Sequence, residues 1–476
     1  MDVNITMDTK NLGLHLDLYQ INMAYSYFLE NKQDTIASFE VYFRENPFNG
    51  GHCVYVGNRR LLEVLEDFSF SKTDIEYLKT IGNYNDEFLD YLQNFKFSGN
   101  IYAPKEGEII FANEPIVLVQ APIIEAQLLE TIILNVLNYQ ILVATKASKI
   151  RNATNKALYE FGARRGYETQ ASLWCAYASI VAGFEATSLV SAGKKFNIPV
   201  VGTHAHSFIQ MHDSEYDAFY NYAKTFNNVT FLVDTYNVEK SGIPNAIKVA
   251  NELKGKFNFN AIRIDSGDLA KLSKKSRKLL DDAGFSDVKI MVSNDLDEEV
   301  IGDLQEQQSP IDAYGIGTKL VSCGDETSLG AVYKLVNIKD KSGSKDVIKL
   351  SNTRAKTTTP GIKIPYRLSK DNQAVCDIIA PFDYQFDNKT TIYNDDFVLG
   401  KKDYEFDEAK PLLTPLVVNG VSNDIFDAQE AKEYNQEQLN HFNDVYLRCS
   451  RPEIYPIGLS KEIKELKIKL IKEKEE

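Results

Sequence analysis

Between about residue 135 and residue 335 the chain alternates short apolar runs with longer stretches of helical periodicity. The runs are "LYEFG" (158–162), "FEAT" (184–187), "PVVGT" (199–203), "VTFLVD" (229–234), "AIRID" (261–265), "VKIMVS" (288–293), "AYGIG" (313–317) and "AVYKLV" (331–336). Their length and their β-branched and aromatic content are those of buried strands. Between them, "SLVSAGKKF", "IPNAIKVANELKG", "DLAKLSKKSRKLLDDAG" and "LDEEVIGDLQEQ" space their apolar residues as helices do. Such alternation specifies parallel strands joined by crossover helices, and about eight of them suit a β/α barrel; a doubly wound open sheet is the second choice.

The flanks have a different texture. Residues 1–134 predict an α+β domain: "YQINMAYSYFLEN" is helical, "ASFEVYFR" alternates as a strand does, and "APKEGEIIFANEPIVLVQAPIIEAQLLE" reads as two short strands leading into a long helix. Residues 135–340 form the barrel domain. Residues 341–476 are a polar, turn-rich extension in which "VIKLS" and "FVLGKKD" predict edge strands and "KEIKELKIKLIKEKEE" a charged helix with a narrow apolar stripe. The fold class expected is therefore α/β, an irregular β/α barrel with an N-terminal α+β domain and a C-terminal extension packed on it.

Composition narrows the function. A 476-residue chain with 43% hydrophobic residues can bury two or three cores, and its net charge of −14 gives no footprint for nucleic acid. No apolar run approaches the roughly 18 residues of a membrane span, and "MDVNITMDTK" is not a targeting segment. A cytoplasmic location is expected. The five cysteines are scattered without a C-x-x-C pair, which favours reduced, buried thiols over disulfides or a zinc site.

Unusual polar residues cluster where the predicted strands end, which is where a barrel builds its active site. In "IRIDSGDL" (262–269), Arg263 faces away from Ile262 and Ile264, and a guanidinium on a buried strand must meet an anion, either a ligand's or an internal carboxylate. Asp265, Ser266, Gly267 and Asp268 then form a turn into a helix, where amides gather phosphate or ribose hydroxyls. "YGIGTKL" (314–320) repeats the idea: Gly315 and Gly317 let the backbone approach a ligand, and Thr318 adds a hydroxyl. "FGARR" (161–165) offers an aromatic ring and two guanidiniums, one of them, Arg165, for a pyrophosphate and the other for a surface pair. Ser293 and Asn294 end another strand, followed by Asp295 and Asp297, which suit helix capping.

"VVGTHAHSFIQMH" (200–212) holds three of the six histidines. H-x-H places two imidazoles on one side of an extended segment, so His204 and His206 with Asp234 or Asp265 offer a metal site of the kind used by barrel hydrolases. No further His or Glu completes such a set at later strand ends, and a phosphate carrier is the other reading.

The peptides "LDLYQINMAYSYF", "FEVYFRENPF", "FGARR", "GTHAHSF", "VDTYN", "IRIDSGDL", "VSNDLDE" and "YGIGTKLV" together resemble nicotinate phosphoribosyltransferase over some 300 residues. The resemblance implies transfer of the phosphoribosyl group of 5-phosphoribosyl 1-pyrophosphate to nicotinate in NAD salvage, coupled to ATP hydrolysis through a phosphohistidine, with magnesium carried by the pyrophosphate or ATP rather than by protein ligands. It assigns the phosphate to His206, nicotinate contacts to Thr203, Arg263, Phe161 and a neighbouring subunit's Tyr19, and a phosphoribosyl contact to Thr318. Asp265 and Asp268 suit ribose hydroxyls or magnesium, and a homodimer with shared active sites is implied. His204 departs from the expected small or apolar residue, which leaves a second phosphate acceptor to be weighed. The competing functions are a nicotinamide phosphoribosyltransferase, whose neutral amide would not reward Arg263 in the same way, and the metal-dependent hydrolase.

Overall fold

The computed structural model describes residues 12–324, 326–353, 356–394 and 400–475. Its centre is a curled sheet of six parallel strands: β1 (Ala157–Glu160), β2 (Ala186–Thr187), β3 (Asn228–Leu232), β4 (Asn258–Ile264), β5 (Lys289–Ser293) and β6 (Ala313–Ile316), in spatial order β2-β1-β6-β5-β4-β3. Period-two alternation sorts the side chains. Leu158, Ile262, Ile264, Ile290, Val292, Tyr314 and Ile316 pack into the large core beneath the crossover helices. Phe161, Met291 and Ala313, joined by Ala157, Tyr159 and Val201, make a small cluster inside the curl. A parallel sheet covered on both faces explains why these strands are nearly continuous apolar runs.

Two of the eight expected strands behave differently. "AVYKLV" begins a strand, Val332–Asp340, that leaves the barrel and pairs antiparallel with Ile36–Tyr42. It carries Lys334, Asn337, Lys339 and Asp340 among its apolar residues and ends exposed, and Tyr333 stacks on Phe39 there at 4.6 Å. "PVVGT" makes a single bridge, Val200 with Thr187, instead of a ladder. The barrel is therefore a curled sheet with edges at β2 and β3, and the extended segment 199–204 lies along β2.

The antiparallel sheet draws on all three sequence segments: Ile36–Tyr42, Asn100–Ala103 and Val117–Pro122 are joined by Val332–Asp340 and Gly343–Asp346 at one edge and by Thr414–Val418 and Val421–Ser422 at the other. A third sheet of six strands lies within residues 363–459. "VIKLS" (347–351), which precedes it, is irregular, and the start of "FVLGKKD" lies outside the described residues, the rest opening the strand Lys401–Glu405. The charged C-terminal helix, Lys461–Glu475, buries its stripe of Ile463, Lys467 and Ile471. Among the described residues no helix is long and apolar enough to cross a membrane. All five cysteines are free, and Cys53, Cys175, Cys323 and Cys376 are buried.

Buried ion pairs weld the parts together. Arg367 donates to Glu108 at 2.7 Å and holds Asp377 through two hydrogen bonds of 2.7 and 3.0 Å, with all three residues essentially inaccessible. Burial alone would raise the Glu108 carboxyl, but Arg367 and Lys410 outweigh it and keep Glu108 below the ordinary carboxylate range. Lys146 on the central helix Glu130–Asn152 reaches Glu298 at 2.6 Å. Arg367→Met leaves the buried Asp377 without its cation and Glu108 with Lys410 alone, so equilibrium unfolding at neutral pH should show a loss on the order of 3–5 kcal/mol. Because the folded-state carboxyl of Glu108 is depressed, the pair's contribution is present above the unfolded pKa and lost as pH falls. The deficit of the variant must therefore narrow on acidification; a deficit that stays constant or widens speaks against the pair.

Candidate functional site

The site stands at the C-terminal ends of the parallel strands, where six loops converge. Its central element is Arg263, one residue before the end of β4. Three of its five N–H donors are already spent: Nε donates to Ser293 Oγ at 2.9 Å, one terminal nitrogen to Thr203 Oγ1 at 3.0 Å, and the other to Asp265 Oδ1 at 2.9 Å. The anion that this guanidinium demands is thus supplied inside the chain, and two N–H groups remain for an incoming acceptor. Ser293, fully buried at the end of β5, donates to the same oxygen of Asp265. Phe161 lies beneath, its ring 5.4 Å from the guanidinium carbon.

Asp265 turns its second oxygen toward His206, whose Nε2 is 3.9 Å away. His206 opens the short helix His206–Gln210, and its Nδ1 lies 3.1 Å from Thr235 Oγ1, in the loop after β3. With Nδ1 so engaged, Nε2 faces the mouth, half-exposed, for proton or phosphoryl transfer. Asp234, just before, accepts from the Asp265 amide at 3.0 Å and from the Ser266 hydroxyl at 2.5 Å, while its Oδ1 is buried without a partner. Sequence reasoning did not single out Thr235, although it stands in the quoted "VDTYN"; a threonine beside an aspartate carries no signal until the topology brings it to a histidine 29 positions away.

His204 does not share the side of His206. It is 6% exposed, its ring set among Phe208, Phe219, Tyr222 and Phe231, and burial pushes its imidazole down to about 4. The two-residue alternation behind the H-x-H metal reading fails because His206 is already helical. Among the described residues no group of three or more His, Cys, Asp or Glu could hold a metal ion. His212 caps back onto the Phe208 carbonyl at 2.8 Å.

Other expected site residues stand at the same rim in simpler roles. Asp268 caps the helix Leu269–Asp282 by accepting from the Lys271 amide at 2.9 Å. Gly267, at φ +82°, makes the turn before it. Asn294 and Asp295 are left-handed at φ +98° and +43°, and the capping expected of Asp295 or Asp297 falls to Asp297. The turn Ala163–Arg165 leaves Arg164 and Arg165 exposed, and neither pairs with a carboxylate among the described residues. Thr318 is exposed on the turn after Gly317. At Gly315 a Cβ would lie 2.6 and 2.8 Å from the Phe161 ring, so the glycine makes room for that ring. Glu160, which the sequence did not mark, is buried with its carboxyl raised by burial and ties the Gly162 amide to Thr187. Tyr19 stands on the helix Leu18–Leu29, which packs on Ile123–Leu128; its hydroxyl faces Glu130 and no barrel-mouth residue.

The chain is similar to known proteins along most of its length. Family models described as the nicotinate phosphoribosyltransferase (NAPRTase) N-terminal domain, family and C-terminal domain match residues 14–138, 157–392 and 362–467. The chain is 42% identical to the nicotinate phosphoribosyltransferase of Bacillus subtilis (strain 168), covering 95% of this chain and 94% of that one. It is 35% identical to that of Dictyostelium discoideum, covering 94% and 86%. The crystal structure of human nicotinic acid phosphoribosyltransferase superposes with a TM-score of 0.85 at 26% identity, over 95% of this chain and 99% of that one.

The close fit of Gly315 is testable against an internal control. Gly315→Ala should lower stability by about 1–3 kcal/mol through overpacking on Phe161. Gly302→Ala, in the helix Glu298–Glu306 with nothing within 4 Å of the added carbon, should raise it by roughly 0.5–1 kcal/mol. Denaturant unfolding of both variants decides, and equal effects would remove the packing role of Gly315.

Proposed function

Because the chain belongs to the nicotinate phosphoribosyltransferase family, we propose that it joins nicotinate to 5-phosphoribosyl 1-pyrophosphate in NAD salvage, giving nicotinate mononucleotide and pyrophosphate, with ATP hydrolysed through a phosphohistidine at His206. The observation that carries the reading is the largely buried Arg263, which keeps two N–H donors unspent after binding Thr203, Ser293 and Asp265. A carboxylate uses both donors in one fork; an amide offers a single acceptor oxygen and no charge. That contrast favours nicotinate over nicotinamide.

In the reaction the pyridine nitrogen attacks the anomeric carbon as the C–O bond to pyrophosphate breaks, through a transition state of oxocarbenium character. The chain has little covalent work here; it orients two anions and faces developing charge with fixed groups. Phe161 flanks the pyridine ring, and Thr203 and Arg263 orient its carboxylate. Ser266, Gly267, Asp268, Asn294, Gly317, Thr318 and Arg165 line the path of the phosphoribosyl and pyrophosphate groups. Magnesium enters with the pyrophosphate or ATP. In the ATP half, Nε2 of His206 attacks the γ-phosphorus and ADP leaves; the Thr235 hydroxyl at Nδ1 supports that tautomer. Water then hydrolyses the phosphohistidine.

The working unit proposed is a cytoplasmic homodimer. Leu18, Tyr19 and Met23 are exposed on one helix, Tyr19 and Met23 one turn apart, and a second copy would cover them while carrying Tyr19 to its partner's site.

Chromatography of nucleotide products, after incubation with phosphoribosyl pyrophosphate, magnesium and ATP, should give nicotinate mononucleotide from nicotinate and none from nicotinamide; the opposite result reassigns the pocket. Arg263→Ala should raise the nicotinate KM by about 100-fold, the effect of losing a bidentate ionic contact of roughly 2–3 kcal/mol, while sparing ATP hydrolysis. His206→Ala should abolish acid-labile labelling from ATP and leave slow ATP-independent transfer, whereas labelling that persists would move the phosphate elsewhere.

A further inference from the structure

The edge of β3 faces a gap. β3 pairs with β4 on one side, while across its other side the segment 199–204 is hydrogen-bonded to β2, with Val201 donating to the Thr187 carbonyl at 2.9 Å and Thr187 to that of Pro199 at 3.1 Å. A buried main-chain amide on such an edge needs an acceptor. At Leu232, 1% exposed, the acceptor is a side chain: the amide donates to His204 Nε2 at 3.2 Å. An imidazole thus stands where a neighbouring strand would present a carbonyl.

We propose that His204 is a positioning residue, a side-chain splice across the open edge of the curled sheet that sets the register of Thr203 and His206 against β3 and β4. Three hydrogen bonds cross this seam in sequence: Thr203 with Arg263, His204 with Leu232, and His206 with Thr235. The first and third serve the reaction and carry groups at the mouth. The second points the other way, into the helix layer, where Phe208, Phe219, Tyr222 and Phe231 fix the ring. Successive residues of an extended segment face opposite sides, so anchoring residue 204 outward holds residue 203 inward and delivers the chain to His206. The ring acts as an acceptor and so must be neutral. Its burial among aromatic rings serves that state, as do the neighbouring positive charge of Arg263 and the ionisable His206.

The inference rests on the activity proposed above, and the test separates the two. In the full-length protein, His204→Leu keeps apolar bulk and loses the acceptor, while His204→Gln restores an acceptor near the position of Nε2. Amide exchange at Leu232, which needs no substrate, should be at least about tenfold faster in the leucine variant and recover in the glutamine one. The nicotinate KM should rise about tenfold and phosphorylation from ATP slow about tenfold in His204→Leu, with the phosphoribosyl pyrophosphate KM within about twofold of the parent, the mark of a local displacement. His204→Gln should regain most of both. Unchanged exchange at Leu232, a glutamine variant no better than leucine, or losses in all kinetic constants that follow the thermal midpoint each overturn the proposal. A parent protein that makes no nucleotide sinks the activity reading instead, and exchange at Leu232 still judges the splice.

Discussion

A guanidinium on a buried strand has to be neutralised before anything else at the mouth can be arranged, and the carboxylate of Asp265 does this. One of its oxygens is shared between Arg263 and the buried Ser293, and the other faces His206. The shared oxygen fixes Arg263 in one rotamer, so the two donors left over have a defined direction. Asp265 is itself held by its own amide on Asp234, which also takes the Ser266 hydroxyl. The ends of three adjacent strands are thereby locked by carboxylates, and the spare donors of Arg263 and the free nitrogen of His206 become neighbours of the same residue. One carboxylate is thereby shared between the guanidinium of Arg263 and the imidazole of His206.

Much of this was legible along the chain. Alternation within "AIRID" separates Arg263 from Ile262 and Ile264, and the structure puts it inside the curl while they face the helices. Strand-end clusters announced the rim because parallel strands bring every C-terminal end to one face. The demand of Arg263 for an anion was legible too, but its source was not: the distance to Asp265, two residues on, depends on the backbone turning just there. Gly315 shows the same limit. Its lack of a side chain marked a close approach, and only packing reveals that the approaching group is Phe161.

Misassignments came from pairing partners, which local pattern does not encode. Val332–Asp340 is the next strand after β6, yet it pairs antiparallel with Ile36–Tyr42 and does not extend the parallel sheet. The extension beyond residue 340 likewise gives Thr414–Val418 to the antiparallel sheet, and Arg367 to the buried carboxylate of Glu108. Such exchange of strands and ions makes the three segments depend on one another for burial, and the three largest cores each draw on more than one of them.

The histidine segment is where local and global constraints disagree. Read locally, H-x-H in an extended run presents both rings to one side, which is the geometry of metal ligation. Globally, the segment has to bridge two sheet edges with too few residues to form a ladder with both. It hydrogen-bonds its backbone to β2 and uses side chains to reach β3 and β4. Chain direction then changes between Ala205 and His206, so the two rings part, one into the aromatic layer and one into the mouth. A seam joined by side chains is less constrained than a ladder, and it holds His204 against β3 while His206 stands half-exposed at the mouth.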